Sequence, residues 1–202
     1  MPAALFLDGP EWGAKPAPDL LGDLHAAGSS KPLKLQPGVR AGGCVFGGTR
    51  RQWRYTLSRI WDEDLPTICF IMENPSVADG DGDDRTVAKC QMFARKWGYG
   101  SLVVGNSFAY RSTSPHNLIL ADDPVGPDND LWLDRMVREA ACTVLACGTP
   151  PYPTLWPRLG IVRKIVTDAG KVPHVLRLSE KHGRPVHPLY LPSDLVPVAW
   201  EE

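Results

Sequence analysis

Four apolar runs of strand length, separated by segments with the periodicity of amphipathic helices, restrict this chain more than any other feature. The runs are Thr67 to Met72 (TICFIM), Ser101 to Gly105 (SLVVG), Thr143 to Cys147 (TVLAC) and His174 to Leu178 (HVLRL). Near-continuous apolarity of this kind belongs to strands buried on both faces, as in parallel sheets. Between them, Arg85 to Trp97 keeps Val87, Cys90, Phe93, Ala94 and Trp97 on one helical face, with Asp83 or Asp84 to cap its start and Gly98 to end it. Asp130 to Ala140 does the same with Leu133, Met136, Val137 and Ala140, after Asp128 or Asn129. In Leu155 to Ala169 the set is Leu155, Leu159, Val162 and Val166, bounded by Thr154 and Gly170. Strands and helices in alternation build a sheet covered on both sides. The expected fold is a three-layer α/β/α domain around a central, mainly parallel sheet of about four strands.

Residues 1–43 have a different character. PEWGAKPAP and GSSKPLKLQPG are compositions of turns and extended pieces, around a short leucine-bearing segment near Asp19 to Ala27. They read as an N-terminal extension, partly ordered at best, ahead of a single α/β domain over 44–202. A chain of 202 residues with 43% apolar and 22% charged residues suits one compact domain. With 22 Lys+Arg against 23 Asp+Glu, no generally basic surface grips nucleic acid by charge alone, so a polyanion must be held in a local cleft. No apolar stretch approaches the roughly 20 residues that cross a bilayer, and MPAALFLDGPEWG lacks the basic start of a secretion signal. A soluble, cytoplasmic protein with no membrane partner is expected. The five cysteines form an odd set without a C-x-x-C pair and read as reduced core residues, not as a disulfide frame or zinc site.

In open α/β sheets, ligands settle on the loops that follow the carboxyl ends of the strands. The first such loop is Glu73 to Thr86 (ENPSVADGDGDDRT). Pro75 restricts Asn74 and aims its amide over the sheet edge, where it can hold a water or a substrate carbonyl; a plain Asn-Pro turn is the alternative. Asp79, Asp81, Asp83 and Asp84 mimic a calcium loop, but Asp84 stands where that loop needs glycine and Cys90 where it needs glutamate. Magnesium shared with a phosphate stays open, as does helix capping by Asp83 or Asp84. The second loop opens with GNSFAYRSTSP, Gly105 to Pro115. Here Asn106 can donate to and accept from a base edge, Phe108 and Tyr110 offer flat apolar faces, and Arg111 offers a fork for phosphate. A structural Asn106 bonded to loop backbone is the other reading. The same stretch imitates the G-x-S-x-G nucleophile elbow, yet Arg-Ser-Thr-Ser-Pro follows it in place of a helix. The third element is GRPVHPLYLP, where His187 before Pro188 can turn an imidazole to the same cleft. No P-loop and no clustered Cys/His set occurs, so no dedicated metal site and no cofactor are expected.

The segments RYTLSRIW (Arg54 to Trp61), FIMENPSVAD with the later Asp83, Asp84 and Thr86, WGYG (Trp97 to Gly100), NSFAYRSTSP, DPVGPDND (Asp123 to Asp130) and HPLYL (His187 to Leu191) resemble the bacterial and phage DUF1643 family over about Phe46 to Leu191. A more distant resemblance is to the uracil-DNA glycosylase superfamily. Met72-Glu73-Asn74-Pro75-Ser76 is similar to the G-x-N-P-G water-positioning motif of its mismatch-specific branch, Leu102 to Asn106 to the strand whose asparagine reads the flipped base, and His187-Pro188 to the late H-P-S motif. Glu73, Ser76 and Leu189 depart from those patterns.

That resemblance implies a uracil-DNA-glycosylase-like fold and hydrolysis of an N-glycosidic bond in DNA or in a nucleotide. Asn74 would hold the attacking water, His187 would hydrogen-bond the departing base, and Asp79 or Asp84 would favour the cationic sugar. Pro75, Ser76, Asn106, Phe108, Tyr110 and Arg111 would contact the substrate, with Arg54, Arg59 and Arg111 as phosphate contacts. Nucleic acid or a nucleotide is the implied partner. Two other classes fit the same residues: a non-catalytic nucleic-acid or nucleotide-binding module, and a metal-assisted phosphohydrolase or transferase using the Asp79 to Asp84 cluster.

Overall fold

The computed structural model describes residues 32–201. The leucine-bearing segment near Asp19 to Ala27, and with it most of the N-terminal extension, lies outside the described residues. The chain folds as a mixed α/β domain. In chain order the elements are β1 (Leu33–Lys34), β2 (Ala41–Gly47), β3 (Trp53–Ile60), β4 (Thr67–Met72), β5 (Gly82–Asp83), α1 (Arg85–Lys96), β6 (Ser101–Asn106), α2 (Asn129–Glu139), β7 (Cys142–Leu145), α3 (Arg158–Asp168), β8 (Pro173–Val175) and β9 (Val198–Ala199).

Seven strands form the main sheet, in the order β2-β3-β6-β4-β7-β8-β9. The sequence-based expectation of about four strands is corrected here, because the sheet is mixed and wider. Strands β6, β4, β7 and β8 run parallel, while β2, β3 and β9 join antiparallel at the two sides. Strand β3 is absent from the sequence-based expectation although Trp53 to Ser58 alternate apolar and polar residues; it is buried nearly throughout, and its arginines find partners far along the chain. A second ribbon pairs β1 with β5, which brings the start of the described chain against the acidic loop.

The period of two in β4 divides its side chains between two cores. Ile68, Phe70 and Met72 meet Val87, Cys90, Phe93 and Ala94 of α1, whereas Cys69 and Ile71 meet Leu133, Met136 and Val137 of α2 and Leu159, Val162 and Val166 of α3. Helix α2 lies so close to β6 that a Cβ on Gly105 would fall 2.5 Å from Met136 Cε and 2.7 Å from Leu133 Cδ2, which is why no side chain stands there. Helix α1 begins as its sequence says: Asp84 accepts a hydrogen bond from Val87 N–H at 2.8 Å, and Gly98 follows with φ +83°. Helix α3 does not. It starts at Arg158, and Thr154 caps nothing, because Pro153 and Pro157 confine the preceding residues to a short 3₁₀ turn over Pro153–Leu155. Asp128 precedes α2 without a side-chain cap. All five cysteines are free, and four of them are buried. Among the described residues no helix is long and apolar enough to cross a membrane.

Candidate functional site

The carboxyl ends of the parallel strands are fastened to one another before any cleft forms. Ser107 N–H and Phe108 N–H at the exit of β6 donate to Met72 and Glu73 carbonyls at the exit of β4, at 2.8 and 2.9 Å. Asn74 Nδ2 donates to Ser112 O at 2.7 Å and to Pro75 O at 3.1 Å, and Ser112 N–H donates to Pro75 O at 2.9 Å. Beyond β7, Gly148 N–H donates to Pro185 O at 2.8 Å, which draws the C-terminal segment over the same edge. A cleft of about 490 Å³ opens among these loops, a volume ordinary for a small-molecule site.

Asn74, Ser76, Asp84 and His187 line this cleft together. Asn74 spends its amide donors on the loop carbonyls, so Oδ1 is the atom it offers a ligand. Asp84 holds Val87 N–H with Oδ1 and also lines the cleft, combining cap and site. His187 precedes a short 3₁₀ turn, Pro188–Tyr190, and its Nδ1 is buried without a partner. Burial lowers its pKa below the ordinary imidazole value against the opposing pull of Asp84, so a neutral ring faces the cleft at pH 7.

Other residues singled out in the sequence stand elsewhere. Asn106 is wholly buried; its Oδ1 accepts from Arg54 Nη2 at 3.4 Å, its carbonyl accepts from Asn129 Nδ2 at 3.0 Å, and it reaches the cleft only through Arg54. Phe108 is buried, and Tyr110 bridges to Trp53 on β3. Arg111 is buried with its guanidinium 4.9 Å from the centre of the Phe46 ring, and desolvation brings its pKa down to about 10. Pro75 is buried within the fastened loop.

The acidic loop disperses its carboxylates. Asp83 is wholly buried and pairs with Arg59 Nε at 2.8 Å, while also accepting from Gln91 Nε2 at 2.7 Å and Gln36 N–H at 3.3 Å. Asp79 Oδ1 accepts from Asp81 N–H at 3.0 Å, and Asp81 faces solvent. No three His, Cys, Asp or Glu side chains among the described residues stand around a common ion. Arg59 is correspondingly committed: besides Asp83 it donates to Ser58 O, Asp79 O and Gly82 O, which leaves it no part in phosphate contact.

Two further cleft residues, Glu73 and Gly148, were not selected from sequence, whereas Arg54 was expected to contact phosphate. Arg54 lines the cleft although 1% exposed, donating to Ala78 O at 2.6 Å; burial lowers its pKa and no carboxylate lies within ion-pair distance among the described residues. Glu73 lines it too, its Oε1 buried without a partner and its pKa pushed up to about 7 by desolvation against the pull of Arg184. Gly148 has φ +73°, and a Cβ there would lie 3.6 Å from His187 Cβ and 3.7 Å from Glu73 Oε2. The available signal was an ionisable residue ending an apolar strand at the functional edge of the sheet.

The fold and cleft thus define an α/β domain that gathers polar and ionisable groups at the carboxyl edge of its parallel strands. A family model described as "Protein of unknown function (DUF1643)" matches residues 54–189, and the chain belongs to that family. No curated protein and no solved structure gives a significant match. Neither comparison supports the resemblance to uracil-DNA glycosylases.

Proposed function

We propose that this domain hydrolyses the N-glycosidic bond of a nucleobase, modified or not, carried in DNA or in a nucleotide. The observation that supports it most is that Asn74, from the exit of β4, and His187, from the far C-terminal segment, line one cleft with Asp84. The proposed architecture is the three-layer, uracil-DNA-glycosylase-like one, in keeping with α1 packed on one side of β4 and α2 and α3 on the other.

In this reading Asn74 Oδ1 accepts a hydrogen bond from the attacking water. The neutral His187 donates an N–H to the base as negative charge develops on it. Asp84 faces the sugar, where positive charge grows as the bond lengthens. Asn106 acts at one remove, orienting Arg54 at the cleft rather than touching the base.

The test is abasic-site formation on single-stranded and duplex oligonucleotides carrying uracil, hypoxanthine or an oxidised pyrimidine, scored by alkaline strand cleavage. Asn74→Ala and His187→Ala should each slow base release on the order of 10²-fold or more. Wild-type rates in both variants would defeat the assignment. The burial of Asn106 favours a second reading, a nucleotide- or nucleic-acid-binding module without turnover. For that module the same oligonucleotides bind in an anisotropy titration and none is opened. The metal-assisted phosphohydrolase or transferase reading would draw on the Asp79 to Asp84 cluster, of which Asp84 lines the cleft.

A further inference from the structure

Gly148 stands at the cleft wall beside two residues distant in the sequence, Glu73 and His187. The point its Cβ would occupy lies within 4 Å of both Glu73 Oε2 and His187 Cβ, and the residue's left-handed backbone favours glycine there. Beside that point, Glu73 Oε1 and His187 Nδ1 are buried with no hydrogen-bond partner. Buried polar atoms of native proteins are satisfied as a rule, by protein, by water or by a ligand, and these two belong to residues that line the cleft. Arg184 is no ion-pair partner for Glu73. Its Nη1 and Nη2 reach Trp156 O at 3.5 and 3.4 Å, and no contact to the carboxylate falls within 4.0 Å among the described residues. Glu73 consequently faces the cleft as a carboxyl that no neighbour neutralises.

We propose that Glu73 is a catalytic residue of this cleft, the group that takes the proton from the water Asn74 holds and returns it to the base beside His187. The inference rests on the glycosidic reading and adds to it the proton acceptor. As the water oxygen bonds to the anomeric carbon, its proton passes to the Glu73 carboxylate. The carbon–nitrogen electron pair leaves with the base, which His187 stabilises by donating an N–H. The proton on Glu73 then passes to the base nitrogen, so the carboxylate is restored and one water has been consumed.

The groups facing Glu73 allow the pH profile to be read. Cys147, on the strand exit beside it, has its thiol pushed up to about 11 by burial, and Arg184 stays protonated throughout the neutral range. His187, on the other side of Gly148, is displaced below its ordinary value and faces Asp84. Loss of the Glu73 proton, with a pKa of about 7, raises the rate through neutrality, and the part of the climb that Glu73→Gln removes belongs to this carboxyl.

The experiment is single-turnover base release from whichever of the uracil, hypoxanthine or oxidised-pyrimidine oligonucleotides the wild type opens, measured across about pH 5.5 to 8.5. Glu73→Gln is expected to slow release by about 10²-fold or more and to abolish the climb through neutrality, with oligonucleotide affinity within about threefold of wild type. Glu73→Asp, which keeps a carboxylate, is expected to recover part of the rate and the pH dependence. A Glu73→Gln protein with wild-type rate and profile overturns the inference and leaves the glycosidic reading standing. A wild type that opens none of the oligonucleotides overturns both. If Glu73→Gln does not fold, the wild-type profile decides, and a rate flat across about pH 6 to 8 overturns the inference.

Discussion

A carboxyl that keeps its proton near neutrality works against the fold that buries it, and Glu73 shows the cost in a measurable form. Its folded pKa of about 7 stands above the ordinary value of 4.5. Below pH 4.5 both states hold the proton and no penalty exists. Between that pH and about 7 the unfolded chain releases the proton while the folded chain retains it, so stability falls as pH rises. Glu73→Gln should therefore match wild type in denaturant melts at low pH and exceed it by about 1–3 kcal/mol at pH 8. An advantage that shrinks as pH rises would contradict the burial of this group. His187 works in the opposite direction: its folded pKa is depressed by desolvation, so its contribution to stability is present above the ordinary imidazole value and is lost as pH falls.

Helix α1 brings its N-terminus to the cleft with a residue that does two jobs, and substitution separates them. Asp84→Asn keeps a side-chain oxygen for Val87 N–H and removes the charge, whereas Asp84→Ala removes both. In thermal melts the alanine variant should lose about 1 kcal/mol and the asparagine variant only a few tenths. In base release both should be slowed if the proposed role holds, because each lacks the carboxylate assigned there to face the sugar. Equal stability of the two variants would mean that the cap contributes little. A fast Asp84→Asn enzyme would mean that the charge does. The onset of α1 was legible because a cap, a first apolar residue and a terminal glycine all lie within one short window. The onset of α3 was not, since its apolar period ran on into a proline-rich segment whose backbone restrictions outweigh it.

Across the domain, Asp83 ties together pieces that are remote in the chain. It pairs with Arg59 on β3, accepts from Gln91 on α1 and from Gln36 after β1, and itself sits on β5. Removing one member of a wholly buried ion pair leaves the other charge without a partner and typically costs about 3–5 kcal/mol. Asp83→Ala should lose that much in equilibrium unfolding, with activity, where the protein stays folded, falling only with the folded fraction. An Asp83→Ala protein of wild-type stability that had lost only activity would return this residue to the site. The pair also bears on β3, which the sequence-based expectation lacked. Arg54 and Arg59 lie buried on a strand because the carbonyls of Ala78, Asp79 and Gly82 arrive from the neighbouring loop to receive their guanidinium groups.

Local pattern wrote the parallel strands and the helices between them, since the alternation of apolar runs, caps and glycines is fixed by residues close in the chain. It also placed Asn74, Asp84 and His187 among the candidates, because strand exits and proline-held turns are local as well. Which candidates share a cleft, the burial of Asn106, the dispersal of the aspartates and the unpartnered carboxyl of Glu73 were settled by folding. Desolvation and charge pairing depend on what distant segments bring within a few ångströms, and no short window of sequence contains that.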